Sequence, residues 1–380
     1  MSRPAYDTLV CLVSEQAIPN LTPALDARYR PARVVLVVSN DSMAQRAAWL
    51  GRVLDRHGLP HETVRLTAPD DFAAMLADFR AIVTRHPDAA LNATGGKKTM
   101  TLAAFRAFAE AGRPAFYVER DNRLQWLEPA GDAHIPLATV LSLDDLLTAH
   151  GQEIVDKRTR IDPRVPALAA LLMDDPDQQK AAALTELGYF GADEMKEIRP
   201  KDGAPFDKRH RALLDTLQRM GFVRQQGKSW LCAKSDAALL AGAWLEQHTW
   251  HVIHELPPKL GVRDTCHGLR LASASHPDVK NEIDVAFVRD NRLYLIECKA
   301  LKPQGPARDR KKNKGIADFI YTLESVRKSG GLAARAALLT WGTQPGPSDA
   351  ARAEDNGIRI LAGATLNNLE LALATWVASV

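Results

Sequence analysis

Two apolar runs on either side of Arg289-Asp290-Asn291-Arg292 constrain this chain more than any other feature. The first reads Ile283-Asp-Val-Ala-Phe-Val288 and the second Leu293-Tyr-Leu-Ile-Glu-Cys298, with Glu282 and Lys299 just outside them. Apolar runs separated by a short polar turn predict a β-hairpin. Asp and Asn tolerate the positive φ that a two-residue hairpin turn demands. With Asp290 and Asn291 at the turn, position 284 faces 297 and position 282 faces 299. A three-residue loop would shift every pair, so the register stands on that turn.

The register sorts the side chains. Ile283, Val285 and Phe287 fall on one apolar face with Cys298, Ile296 and Tyr294. The other face carries Ala286, Val288, Leu293 and Leu295, together with Asp284 against Glu297 and Glu282 against Lys299. Cross-strand neighbours have Cβ atoms about 5 Å apart, where like charges repel. Both faces are otherwise apolar, which predicts a buried hairpin. A buried carboxylate pair is costly unless a cation compensates it. Mg²⁺ or Mn²⁺ takes carboxylate oxygens readily and would relieve the conflict. Lys299 would then stabilise charge developing on a phosphate.

Asp284, Glu297 and Lys299 resemble the D…ExK signature of the restriction-endonuclease-like, PD-(D/E)xK nucleases. The resemblance implies that Asp284 and Glu297 are metal ligands and that Lys299 positions or activates the nucleophile. Ile283 stands where that family often has Pro. The bland alternative is a hairpin with exposed acids and a surface lysine. Gly242-Ala-Trp-Leu-Glu246 lies in a strong helical pattern, Ala237–Trp250, ahead of the hairpin. It resembles the first core helix of that fold, which implies a metal or water contact for Glu246; a surface glutamate is the competing reading. His251, His254, His267 and His276 show no tight ligand spacing and read as ordinary strand and loop histidines.

A formal charge of +3 over 380 residues is too small to establish nucleic-acid binding. Clustering says more. Lys302, Arg308, Arg310, Lys311, Lys312 and Lys314 directly follow the acid pair, broken by a single acid, Asp309. The run predicts a basic loop able to reach phosphates, with a solvated loop as the alternative. Four cysteines without CxxC spacing suggest neither a disulfide framework nor a zinc site. No stretch is apolar enough for a membrane span and no signal-peptide pattern opens the sequence, so a cytoplasmic protein is expected.

The first third follows a different rule. Apolar runs at 6–13, 34–38, 64–66 and 89–91 alternate with helical periods at 42–57, 70–85 and 97–111, and two more strands are expected at 115–119 and 124–127. Uninterrupted apolar strands alternating with helices predict a parallel sheet covered on both faces. Ligands in such sheets bind beyond the carboxyl ends of the strands. There the chain places Ser14-Glu15-Gln16, then Ser39-Asn40, then Thr94-Gly95-Gly96-Lys97-Lys98-Thr99. The last run opens a helix, whose N-terminus favours anions. It is not a Walker A loop, since Leu91 and Lys98 occupy positions that need Gly and Ser or Thr.

Thr94-Gly-Gly-Lys-Lys-Thr99 after one strand, with Val13-Ser-Glu-Gln16 after another, resembles the CARF domain, a Rossmann-like sensor of cyclic oligoadenylates. The resemblance implies a homodimer about a two-fold axis, with the ring-shaped ligand lying across it. Thr94 to Thr99 would cradle phosphate and ribose, Ser14, Glu15 and Gln16 would contact the ring, and Ser39 and Asn40 are weaker candidates. A glycine turn before a solvated helix start is the alternative.

The chain as a whole resembles the CARF-fused ancillary nucleases of type III CRISPR defence, the Card/Can group. The expected fold is α/β: a Rossmann-like CARF domain over 1–150, a linker or winged-helix-like bridge over 151–235, and a restriction-endonuclease-like domain over 236–380. Within the bridge, Asp207–Met220 reads as a helix capped by Asp207, Gly221–Val223 and Ser229–Cys232 read as a wing, and 176–206 carry no assignment. The family implies cyclic tetra-adenylate as activator and DNA as the nucleic acid cut or nicked, with RNA left open. A ligand-responsive transcription regulator, using the bridge on DNA, is the rival expectation.

Overall fold

The computed structural model describes residues 6–131, 133–174, 179–191, 194–276, 278, 280–300, 315–328, 330–342 and 344–379. The chain opens with β1 (Thr8–Leu12), α1 (Ile18–Leu25), β2 (Arg33–Val38), α2 (Asp41–Arg56), β3 (His61–Arg65), α3 (Phe72–Arg85), β4 (Ala89–Asn92) and α4 (Lys98–Glu110). It continues with β5 (Ala115–Val118), β6 (Arg123–Glu128), β7 (His134–Pro136) and α5 (Leu143–Ala149). These seven strands form one sheet in the order β3-β2-β1-β4-β5-β6-β7. The first five run parallel and the last two turn antiparallel. Helices begin where short polar side chains can cap them: Asn40 accepts the Met43 amide, Asp71 the Ala74 amide, and Ser142 forms a reciprocal box with Asp145. Strand order reverses at β1, so a crevice opens beyond the carboxyl ends of β1 and β4.

Next come β8 (Gln152–Arg158), α6 (Val165–Met173), α7 (Gln179–Glu186), β9 (Leu187–Phe190), β10 (Met195–Pro200), α8 (Lys208–Arg219), β11 (Arg224–Gln226) and β12 (Ser229–Ala233). Strands β11-β12-β10-β9 make a small antiparallel sheet. Strands β9 and β10 occupy part of the stretch that carried no assignment. Helix α8, capped by Asp207, runs on into the β11–β12 hairpin. Strand β8 belongs to neither of the first two sheets. It lies at the edge of the third, antiparallel to the strand that precedes the hairpin around Asp290 and Asn291.

That third sheet follows α9 (Lys234–Ala238) and α10 (Trp244–His254). Its strands are β13 (Arg263–Ser273), β14 (Lys280–Arg289) and β15 (Arg292–Ala300), then, after α11 (Ile316–Lys328), β16 (Arg335–Trp341). Helix α12 (Pro347–Asp355), β17 (Ile358–Ala362) and α13 (Leu369–Ala378) complete the chain. The order is β17-β16-β15-β14-β13-β8, parallel from β15 to β17 and antiparallel elsewhere. The single helix expected over 237–250 is instead broken. A wide irregular turn covers Leu239–Ala243, where Gly242 takes φ +146°, a conformation closed to residues with a Cβ.

Two hydrophobic layers sandwich the third sheet. One contains Leu269, Ala286, Val288, Leu293 and Leu295 with Ile316, Ile320 and Leu323 of α11, and is continuous through Leu141, Leu143 and Leu146 with Leu9 and Leu36 of the first sheet. The other contains Val285, Phe287, Tyr294, Ile296 and Cys298 with Trp244 and Ile253 of α10, and extends into the small sheet at Ile198 and Trp230. Among the described residues no helix is long and apolar enough to cross a membrane.

Candidate functional site

The hairpin forms with the expected turn. Asp290 and Asn291 take φ +50° and +57°, and the ladder runs from Arg289–Arg292 to Val285–Ile296. Positive φ at both central residues matches the right-handed twist of the strands, which is why Asp-Asn sets this register. The faces sort as expected with one exception: Ile283 packs in the layer of Ala286 and Val288, not with Val285 and Phe287. The change falls at Asp284. There Asp284 Oδ2 accepts the Cys298 amide at 2.7 Å, a side chain taking a main-chain donor of β15.

Lys299 joins the acids. Its Nζ lies 2.5 Å from Glu297 Oε1 and 3.3 Å from Asp284 Oδ2. Exposure of the three side chains is 16% for Asp284, 18% for Glu297 and 25% for Lys299, so water screens them poorly. Burial, reinforced by the Asp284 charge, pushes the Glu297 carboxyl up to about 7. Burial alone would lower the Lys299 ammonium, but the charges of Asp284 and Glu297 outweigh it and hold the ammonium above its ordinary range. The Lys299 ammonium also lies 5.3 Å from the centre of the Phe319 ring on α11. Two carboxylates therefore converge on one cationic point, and one of them has a raised affinity for positive charge. A donor set of two carboxylate oxygens suits Mg²⁺ or Mn²⁺.

The remaining expected catalytic residues have other partners. Glu282 is exposed and pairs in register with Arg270 of β13, and on its other side the β14–β15 ladder ends at Val285–Ile296, short of position 282. It adds only the smallest of the upward pushes on Glu297. Glu246 lies in the first turn of α10 and meets His267 Nδ1 at 2.9 Å. Helix α10 packs on the face of Cys298, whose thiol reaches Thr249 Oγ1 at 3.6 Å, while Glu297 and Lys299 flank Cys298 in the strand and project to the other face. His267 is 1% exposed, and its Nε2 meets the Arg160 carbonyl at 2.8 Å, so both ring nitrogens face acceptors. Sequence reasoning missed this pairing; His267 within a strand carries no local signal. Lys302, Arg308, Arg310, Lys311, Lys312 and Lys314 lie outside the described residues.

A second carboxylate and histidine grouping, Glu186, Asp207 and His210, gathers in the small sheet's unit. Arg209 already bridges its two acids at 3.1 and 2.8 Å.

Around the crevice of the first sheet, the 94–99 run approaches β1 closely. A Cβ on Gly95 would lie 1.9 Å from the Leu12 carbonyl oxygen, so only glycine fits there. Gly96 takes φ +81°, and α4 starts at Lys98, with Thr99 in its first turn. Lys97 reaches Asp70 at 2.9 Å, while Lys98 and Thr99 are exposed. Thr94 differs from expectation. Its hydroxyl donates to Asn92 Oδ1 at 2.6 Å and accepts the Val118 amide at 2.8 Å, so its polar group is consumed inside the fold. Asn92, fully buried, also donates to the Pro19 carbonyl at 2.8 Å. Ser14 Oγ accepts the Gln16 amide at 3.2 Å, and Glu15 is exposed. Glu15 lies 3.8 Å from Arg46, a cation on α2 that sequence reasoning passed over. Ser39 is buried, and Asn40 is occupied as the cap of α2.

The family described as the Card1 CARF domain matches residues 8–146, and the family described as Card1-like, endonuclease domain, matches residues 233–380. Comparison with curated proteins gives no match. Among solved structures, the chain is similar to Can2 from Sulfobacillus thermosulfidooxidans in complex with cyclic tetra-adenylate, at TM-score 0.76 and 21% identity over 98% of each chain. It is also similar to protein VC1899 from Vibrio cholerae, at TM-score 0.81 and 20% identity over 97% of each chain. A third similar structure is a type III CRISPR defence DNA nuclease activated by cyclic oligoadenylate, at TM-score 0.57 and 22% identity. Here 98% of this chain aligns with 53% of the other, so the present chain spans about half its length. At these identities the structural likeness shows the fold, and the two family matches carry the assignment: the chain joins a Card1 CARF domain, over residues 8–146, to a Card1-like endonuclease domain, over residues 233–380.

Proposed function

We propose that this protein is a cyclic-oligoadenylate-activated, divalent-metal-dependent nuclease of type III CRISPR defence, with cyclic tetra-adenylate as activator and DNA as substrate. The observation that carries the reading is the convergence of Asp284 and Glu297 on Lys299 at the end of the β14–β15 hairpin. The two acids would hold a divalent cation, which supplies Lewis acidity to a phosphodiester and neutralises its charge. The Asp284 carboxylate accepts the Cys298 amide, which anchors it at the site. With a cation held by the two acids, the Lys299 ammonium would be free to face a phosphate oxygen and stabilise charge that develops there. The basic run from Lys302 to Lys314 follows directly and would hold the nucleic-acid backbone.

Support for the activator comes from the CARF match and from the likeness to Can2 bound to cyclic tetra-adenylate. Gly95 and Gly96 bring main-chain amides to the crevice, and Lys98 adds charge at the start of α4. A four-fold ring suits a two-fold pair of such crevices, so a homodimer is part of the proposal. The regulator reading recedes because the second half of the chain matches an endonuclease family. The test is cleavage of supercoiled plasmid in Mn²⁺, with and without cyclic tetra-adenylate, by wild type and Glu297→Gln. Stimulated cutting by wild type alone is expected; binding without cutting would return the regulator, and cutting that ignores the ring would remove the activator.

A further inference from the structure

The turn that sets the catalytic register also grips the other domain. Asn291 is 1% exposed. Its Oδ1 accepts the Val140 and Leu141 amides at 2.8 and 3.0 Å, and its Nδ2 donates to the Ala138 carbonyl at 2.8 Å. A hairpin tip needs only a residue that accepts positive φ, and glycine would serve. The three hydrogen bonds are extra, and they all go to the loop between β7 and α5. Neighbours close the same contact. Arg263 donates to the Thr139 carbonyl at 2.6 Å, Asp264 accepts the Leu143 amide at 2.5 Å, and Arg292 donates to the Arg120 carbonyl at 2.8 Å.

From this loop, hydrogen bonds lead back to the crevice. The Ala138 amide donates to Asp26 Oδ2 at 2.8 Å. Asp26 is 1% exposed and ends α1. The other end of α1 is tied to both crevice strands: Asn92 donates to the Pro19 carbonyl, and Asn20 donates to the Leu12 carbonyl at 3.2 Å. Asn92 in turn holds Thr94 at the head of the glycine run. So the residues around the crevice grip one end of α1, and the other end grips the loop that Asn291 holds. In the opposite direction the regular ladder of β14 and β15 runs to Val285 and Ile296, the residues next to Asp284 and Glu297.

We propose that Asn291 is a positioning residue for the nuclease reaction. It fixes the tip of the acid-bearing hairpin to the crevice domain, so that a displacement of α1 reaches the acid pair as a movement of the hairpin. The identity of the activator rests on the reading above; the link itself rests on the hydrogen bonds. Coupling between distinct sites typically spans about 5- to 150-fold, and a physical warrant requires both sites to bias one shared element. Here that element is the hairpin with its bound loop.

The test uses the full-length protein. Asn291→Gly keeps the turn conformation and deletes all three bonds, and Asn291→Asp keeps the acceptor and deletes the donor. In ligand-free protein, hydrogen exchange is expected to speed up together in residues 138–143 and 284–299 of Asn291→Gly, while β1 to β5 keep their protection. Unchanged exchange over 284–299 in the folded variant would overturn the proposal. In Mn²⁺-dependent plasmid cleavage, the ratio of rates with and without cyclic tetra-adenylate is expected to fall about tenfold or more in Asn291→Gly. Asn291→Asp is expected to fall between the two, with calorimetric binding of the ring unchanged. A wild-type ratio in Asn291→Gly would equally overturn the link. Should the wild type itself ignore the ring, the activator assignment fails, and the exchange measurement alone decides on Asn291.

Discussion

The crevice at β1 and β4 and the acid site at β15 both lie toward the carboxyl ends of central strands, yet they are made of opposite materials. Around the crevice, neutral groups satisfy one another: Asn92 serves Thr94 and Pro19, Thr94 serves Val118, and Gly95 lets the main chain lie against Leu12. The acid site gathers three charged side chains out of water, and one of its carboxylates resists ionisation. A surface of satisfied neutral groups holds a shape without further help. A cluster of poorly screened charges holds electrostatic tension that a cation or a phosphate can release. Under the proposed function, shape recognition would fall to the first and chemistry to the second.

The comparison breaks most easily at Glu297. Glu297→Gln keeps the size of the side chain and removes one of two charges facing Lys299. Cleavage is expected to fall roughly 10²–10³-fold or more, with ring binding measured by calorimetry unchanged. Residual activity within threefold of wild type would remove Glu297 from the chemistry. Next in size is Gly95→Ala. The new Cβ would stand 1.9 Å from the Leu12 carbonyl, so either β1 or the glycine run must move. The expected loss is about 1–3 kcal/mol of stability together with ring binding, read by thermal melting and calorimetry. Undiminished binding would show that the crevice is not built on that close approach.

A third prediction uses pH. In the metal-free protein Glu297 titrates near 7, against 4.5 for a free glutamate. Between those values the unfolded chain has released a proton that the folded chain still holds. By linkage this group's contribution is full below about pH 4.5 and is lost as pH rises through 7. His150 and His248 act in the reverse direction, since burial lowers both and costs stability as pH falls below 6.5. The measurement is therefore a difference: the melting temperature of wild type minus that of Glu297→Gln should decline from pH 5 to pH 7.5. Mn²⁺ should bind more tightly across the same window, because it competes with that proton. A flat difference curve would mean that the Glu297 carboxyl is solvated like a surface acid.

How much of this was legible depended on whether local chemistry left one answer. Asp290 and Asn291 admit positive φ where most residues do not, so the turn and the register out to Val285–Ile296 followed from the residues themselves. The buried strands β1, β2 and β4 were equally plain as continuous apolar runs. Strand β8 was not, because it is an edge strand, Gln-Glu-Ile-Val-Asp-Lys-Arg, with no buried residue. The break at Gly242 was hidden inside a good helical period. Residue type could not tell which way Thr94 points, nor that Asn291, chosen for its φ, would also bind a loop 151 residues away. Strand β8 and Asn291 find partners distant in sequence, where periodicity carries no information; the Gly242 break and the Thr94 hydroxyl turn on local backbone geometry that residue type leaves open.

The smallest predicted effect separates two residues of one motif. Thr94 and Lys98 lie in the same run, and a sequence pattern treats them alike. The structure spends the Thr94 hydroxyl on Asn92 and Val118, and leaves Lys98 exposed at the start of α4. Thr94→Val would strand the Val118 amide without its acceptor, at a cost of about 1–3 kcal/mol. It should lower the melting temperature and weaken ring binding only through the loosened crevice. Lys98→Ala removes a solvated charge and should leave melting unchanged, because surface substitutions away from packed features stay within about 0.5 kcal/mol. Its effect should appear in ring affinity alone, and should shrink as salt is raised, because the interaction it removes is one between charges near water. The reverse pattern, with Thr94→Val as stable as wild type and Lys98→Ala unfolding early, would mean that the roles of neutral frame and charged contact have been exchanged.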